Sequence, residues 1–287
     1  MGIARRLIPS GMAEPFKFTI AVGAGGLFTL PLNDYNGLTP NFSVSWGDAT
    51  SNSITAYNDT NRAHTYTSAG TYQIEITGFM PSFAVDNKAA IKSLITSVDA
   101  WGTVGLRVIN FYGCNNISTL PTDYIGLTDV EIFSNFMRST AITTIPSTIF
   151  SNSTQALSFT DIFSFTAITS IPSGLFTNNV NATDFGAAFS TCLSLATYPS
   201  NLFDTNINVS GFAGTFKLCK LLTSPLQFTY NTAVTDFSNL YFQNTTTNSM
   251  SGTAPSLWTR VPQPYGVGAF KNCTGLSNFA SIPSNFK

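Results

Sequence analysis

The chain has 287 residues, a formal net charge of −1, and 43% hydrophobic against 9% charged residues. That balance excludes a disordered chain, and the near-zero charge removes the electrostatic case for nucleic acid or for an anionic membrane surface. The most apolar run, 18–32, holds three Gly and Pro31 and is too short to cross a bilayer, so membrane insertion is not expected.

Residues 1–13 read as an N-terminal arm. They carry basic residues but no apolar core of a secretory signal. Arg5, Arg6, Leu7 and Ile8 combine charge with apolar anchors and are the candidate attachment residues, able to order on a partner; the plainer reading is a frayed terminus.

Residues 14–80 alternate as β-strands do, in Phe16–Val22, Phe42–Trp46 and Thr71–Thr77, with turns at Asn33-Asp34 and Asn36-Gly37. Val44-Ser-Trp-Gly-Asp48, His64-Thr-Tyr66 and Gly70-Thr-Tyr72 together resemble the PKD-type immunoglobulin-like domain. The resemblance implies a β-sandwich that serves as spacer or adhesion module, not as catalyst. Residues 81–110 read as a degenerate first turn of a repeat array: Ala89–Leu94 falls in the phase of a later strand phrase, and Trp101 is placed as a cap.

From residue 111 one phrase recurs: Phe111–Cys114, Met137–Thr140, Phe163–Thr166, Phe189–Cys192, Phe216–Cys219, Phe242–Thr245 and Phe270–Cys273. The Cys/Thr positions are 26, 26, 26, 27, 26 and 28 residues apart. Ile142-Thr-Thr-Ile-Pro146, Ile168-Thr-Ser-Ile-Pro172 and Leu195-Ala-Thr-Tyr-Pro199 keep the same phase and read as the strand, ended by a proline that cannot donate. Asp129, Asp161, Asp184 and Asp236 follow Thr, once per turn, and read as caps of a short helical turn. Ile149-Phe150, Leu175-Phe176 and Leu202-Phe203 close the core on the far side, and Asn152, Asn178, Asn179 and Asn206 make turns. Such a period predicts a solenoid whose turns bury their apolar residues only by stacking.

The order Thr-Asp-Phe, Phe-x-x-Cys, Leu-x-x-Ile-Pro, Leu-Phe resembles the BspA-type leucine-rich repeat of bacterial surface proteins, a repeat also found in bacteriophage virion proteins. It spans residues 83–287, with a departure at 226–268. The expected fold is mainly β: an immunoglobulin-like β-sandwich (14–80) followed by a leucine-rich-repeat solenoid (81–287).

No catalytic, cofactor-binding or metal-ligating residues are expected. The lone His64 lies inside a structural motif, and the Asp residues recur as a repeat does rather than as a catalytic pair. Cys114, Cys192, Cys219 and Cys273 share a position with Thr140, Thr166 and Thr245, which calls for a small buried side chain and predicts free thiols. The outward hydroxyls Thr143, Thr144, Thr169 and Ser170 form the candidate ligand face. The family resemblance and the missing export signal lead to one expectation: a non-enzymatic bacteriophage virion surface protein, of head-decoration or fibre type, acting in particle structure and adhesion. Its partners would be capsid or tail proteins and a host-surface glycan or protein, without nucleic acid and without a cofactor; an oligomer is compatible. The alternative is a bacterial cell-surface leucine-rich-repeat adhesin.

Overall fold

A computed structural model describes residues 14–86, 88–243 and 250–287. The chain is mainly β and irregular coil, with antiparallel sheet at the N-terminal end. Strands β1 (Phe16–Val22), β3 (Asn41–Ser45), β4 (Ser51–Ile54), β6 (Gly70–Phe79) and β8 (Ile95–Ala100) form one sheet in the order β4-β3-β6-β1-β8. Strands β2 (Gly26–Thr29) and β5 (Ala63–Tyr66) pair separately. In β1 the residues Phe16, Phe18, Ile20 and Val22 are buried while their neighbours are not, as the alternating pattern requires. Trp46, Tyr66, Phe28 and Ile74 fill the space beneath. At Gly47, φ is 81° and an added Cβ would stand 2.6 Å from the Gln73 carbonyl oxygen, so only glycine fits the turn between Trp46 and Asp48.

The segment 81–110 departs from the sequence expectation. Ala89–Lys92 is a single helical turn, α1, not a strand, because Ile91 and Leu94, three apart, bury the same side. Residues 95–100 are β8 and complete the N-terminal sheet against β1 rather than forming a solenoid turn. Asp99 fastens them there, accepting from Thr19 Oγ1 at 2.6 Å and Gln73 Nε2 at 3.0 Å. Trp101 does cap the coils beyond it: its buried ring lies 5.5 Å from that of Phe136 and 6.3 Å from that of Phe111. Strand β7 (Ser82–Ala84) pairs in parallel with β9 (Val108–Asn110), and there the stack begins.

From β9 onward, successive coils lie on one another. Parallel bridges run Val108, Ile132, Ser158, Asp184, Gly211, Asp236 and Tyr265 in an unbroken file. In each coil alternate N–H groups donate to the next: Phe159 to Asp184 O, Asp161 to Gly186 O, Phe163 to Ala188 O and Phe165 to Ser190 O, and likewise in the coils on either side. The ladder therefore sits at the Thr-Asp-Phe and Phe-x-x-Cys phrases. The Ile-Thr-Thr-Ile-Pro phrase, expected to be the strand, holds one bridge, Ser170 to Thr197. Two adjacent residues, Thr143 and Thr144, face outward there, which a pleated strand cannot do, and the proline removes a donor. Along the ladder the backbone turns left-handed twice per coil: at Asn135, Asp161, Ala187, Gly214 and Asn239, and again at Gly113, Ser139, Phe165, Thr191 and Leu218.

The core is three files of stacked phenyl rings. Phe133, Phe159, Phe185, Phe212 and Phe237 stack at centroid spacings of 5.2 to 6.0 Å. Phe150, Phe176, Phe203 and Phe228 form the second file. The third runs Phe163, Phe189, Phe216, Tyr241 and Phe270. Tyr241, not the expected Phe242, occupies this file. The coil is one residue shorter there, and Phe242 turns outward between the ammonium groups of Lys217 and Lys271. Thr245, expected at the next ladder position, lies outside the described residues. Tyr241 also repairs the shortened coil: the Leu226 N–H donates to its hydroxyl, which lies 3.0 Å from that of Tyr198, and Tyr198 donates to Ser224 O.

Candidate binding face

The four cysteines are buried and free. Cys192 Sγ donates to Phe163 O at 3.1 Å, Cys219 to Phe189 O at 3.0 Å and Cys273 to Tyr241 O at 3.2 Å. Thr140 and Thr166 donate to the carbonyls of Met137 and Phe163 from the same place in their coils. The threonines donate within their own coil and the cysteines to the coil before, so Cys and Thr interchange because the site needs a small buried donor with a carbonyl in reach on either side. Burial pushes the thiols up, Cys114 and Cys273 to about 12 and Cys192 to about 11, so they are protonated and unreactive at neutral pH.

The aspartates divide. Asp184 and Asp236 lie on the bridge file, and their Oδ1 atoms accept from the N–H two residues on, at Gly186 and Ser238, both at 2.7 Å. These are Asx turns, not helix caps, and no helix follows. Asp161 and Asp129 belong to other phases: counting along the file, Asp161 is three residues past Ser158 and Asp129 three before Ile132. Asp161 pairs with Arg138 at 2.8 Å, and that guanidinium also lies over the rings of Tyr112 and Phe165.

A buried amide file was not foreseen. Asn179 Nδ2 donates to Phe150 O and Ser153 O, Asn206 to Phe176 O and Asn179 O, and Asn231 to Phe203 O and Asn206 O. All three are essentially without solvent contact. Each reaches back one coil and gives a second donor to two buried carbonyls that already accept a backbone N–H within their own coil, so the amide ties one coil to the next. The signal was present as Phe176-x-x-Asn179, Phe203-x-x-Asn206 and Phe228-x-x-Asn231, a phrase with the repeat's period.

His64 is structural. Its ring stacks on Trp46 at 4.9 Å, and Nε2 lies 2.8 Å from Asp48 Oδ2. Burial raises the Asp48 pKa, but hydrogen bonds from Thr50 and His64 outweigh it and hold the carboxyl below its ordinary value. Among the described residues no group of His, Cys, Asp and Glu could hold a metal ion. No described helix is long and apolar enough to cross a membrane.

The outward hydroxyls are where the sequence places them. Thr143, Thr144, Thr169 and Ser170 are all exposed on adjacent coils. They belong to a longer array, Ser118-Thr119, Thr143-Thr144, Thr169-Ser170, Ala196-Thr197 and Thr223-Ser224, in which every position but Ala196 is an exposed Ser or Thr and none is charged. The Ala196 N–H donates to Thr169 O and the Ile171 N–H to Thr197 O, which locks neighbouring coils together under the array. The candidate attachment residues Arg5, Arg6, Leu7 and Ile8 lie outside the described residues.

No family model matches the chain, and no curated protein matches it. Among solved structures it is weakly similar to a chain of the crystal structure of the TLR13-ssRNA13 complex, with 14% sequence identity and a TM-score of 0.22. The match covers 63% of this chain and 32% of that one, so this chain spans about a third of the length of the protein it matches.

Proposed function

We propose that this chain is a non-enzymatic bacteriophage virion surface protein, of head-decoration or fibre type, that serves in particle structure and in adhesion to the host surface. Its finer architecture in this reading is a PKD-like immunoglobulin-like region followed by a leucine-rich-repeat solenoid of the BspA type. Residues 1–13, with Arg5, Arg6, Leu7 and Ile8, attach to capsid or tail proteins, and the stack projects outward.

The observation that carries the reading is the hydroxyl array. Its residues hang on short side chains from coils tied by backbone hydrogen bonds, so little conformational entropy is lost on contact. A preformed, uncharged, hydroxyl-rich strip suits a glycan or another polar coat better than it suits a folding role. Mass spectrometry and antibody labelling of purified phage particles test the assignment. The chain should be found on the particle at fixed copy number, and deletion of residues 2–13 should remove it. Recovery from the bacterial envelope and not from particles would favour the cell-surface adhesin.

A further inference from the structure

The coil between Asp236 and Tyr265 is longer than the one before it, and a cleft of about 440 Å³ lies between its residues 260–264 and residues 229–235. Thr229, Thr232 and Thr235 line one side, and Arg260, Pro262 and Gln263 the other. The identity of Arg260 is the informative feature. Leu257-x-x-Arg260 continues the phrase Phe228-x-x-Asn231, and Arg260 takes the next place in the buried amide file. Nη1 donates to Asn231 O at 2.8 Å and Nη2 to Phe228 O at 2.7 Å, the bonds that Asn makes one coil earlier. The ladder needs only an amide there.

The arginine adds a positive charge that the amide ladder does not call for. Among the described residues the carboxylates that form ion pairs serve Lys17, His64, Arg107 and Arg138, and none serves Arg260. Its side chain is partly buried and rests on the Phe237 ring at 5.1 Å. Burial alone pulls its pKa below the ordinary value, with no neighbouring carboxylate to offset that cost. A half-buried guanidinium with N–H groups to spare, in a cleft lined by threonine hydroxyls and the Gln263 amide between the apolar Ala233, Val234, Val261 and two prolines, lacks an anion.

We infer that this cleft is a binding site for an acidic saccharide unit, with the sugar carboxylate on Arg260 and the ring hydroxyls on Thr229, Thr232, Thr235 and Gln263. The volume suits one or two sugar rings, at the lower end of the range for ligand sites. The site is separate from the hydroxyl array and does not depend on the virion assignment, since different substitutions remove each.

The test is calorimetric titration of the full chain with glucuronic acid, galacturonic acid and the methyl glycoside of N-acetylneuraminic acid. Glucose, N-acetylglucosamine and sodium sulfate are run beside them. At least one sugar acid should bind, at least about tenfold more tightly than its neutral counterpart or sulfate, and more weakly as salt rises. Arg260→Asn keeps the amide ladder and removes the charge, so it should retain the wild-type melting temperature and lose binding about tenfold or more. Should that variant fold poorly, Thr232→Val, at an exposed position, should weaken binding several-fold without a change in melting. Equal binding of neutral sugars, equal binding of sulfate, or no binding by any sugar acid overturns the assignment.

Discussion

The N-terminal sheet and the coil stack bury apolar side chains to a similar degree but keep their backbones satisfied in different ways. In the sheet, β1 exchanges hydrogen bonds with β6 residue by residue from Phe16–Ile76 to Val22–Gly70, and the ladder itself satisfies the strands. In the stack, regular strand pairing is confined to short stretches and the rest of each coil turns inward. There the carbonyls accept N–H groups three residues on within the coil, and side chains add the bonds between coils: Asn179, Asn206 and Asn231 on one side, Cys192 and Cys219 on the other. A sheet can be built from apolar alternation alone, whereas a stack of tight coils also needs a file of polar side chains at fixed phase.

The largest expected effect lies in the ring files. Phe189→Ala removes a ring stacked between Phe163 and Phe216 and should cost about 3–5 kcal/mol in chemical denaturation. A loss under about 1 kcal/mol, the average for any substitution, would show that the files are not the core. Asn206→Ala sharpens the contrast, because it removes the two hydrogen bonds that tie its coil to the Phe176 and Asn179 carbonyls, which keep only the N–H groups of Asn179 and Ala182. It should cost about 1–3 kcal/mol, the net worth of two buried hydrogen bonds, and more than Asn208→Ala, whose side chain donates to Val180 O at an exposed site. Equal costs would deny that burial of the file matters.

How much of this was legible in the sequence divides along the same line. In the sheet, the alternation in Phe16–Val22 and the turn at Asn36-Gly37 are local, and the strands lie where the pattern puts them. In the stack, the period and the apolar positions Phe163, Phe189 and Phe216 were legible because each recurs in several copies. The ladder was misplaced because left-handed residues such as Phe165 and Thr191 break the alternation that marks a strand. The amide file was hidden because Asn is also the ordinary turn residue. Tyr241 could not be told from Phe242 without knowing that Leu226 and Tyr198 need its hydroxyl. For the candidate ligand face, the exposure of Thr143, Thr144, Thr169 and Ser170 came from the repeat, while the cleft at Arg260 lies where the coil is longer than the one before it.

A smaller effect separates the regions by pH. All four cysteines lie in the stack. Folding raises the pKa of Cys114, Cys192 and Cys273 above the ordinary 9.0, so folded thiols stay protonated while unfolded ones ionise. The stabilisation is complete below pH 9 and is lost as pH rises through about 11 to 12. The urea midpoint should fall between pH 8 and pH 10, and Cys192→Thr should reduce that fall. The smallest effect is that of Cys192→Thr at neutral pH. It should change stability by less than about 1.5 kcal/mol, the range for volume-conserving exchanges, since Thr166 occupies the same place one coil away and donates to the carbonyl three residues back in its own coil.

The claim that the stack's outer strip serves contact rather than folding is tested most directly by the double substitution Thr144→Lys, Ser170→Lys. Both positions are exposed, and neither side chain lies in a ring file or the amide file. The labelled full chain and its variant would be compared in binding to cells of the bacterial host that the proposed function requires, with urea denaturation run alongside. Stability within about 0.5 kcal/mol of the parent and cell binding reduced at least tenfold are the expected results. Undiminished binding by a stably folded variant would contradict the claim.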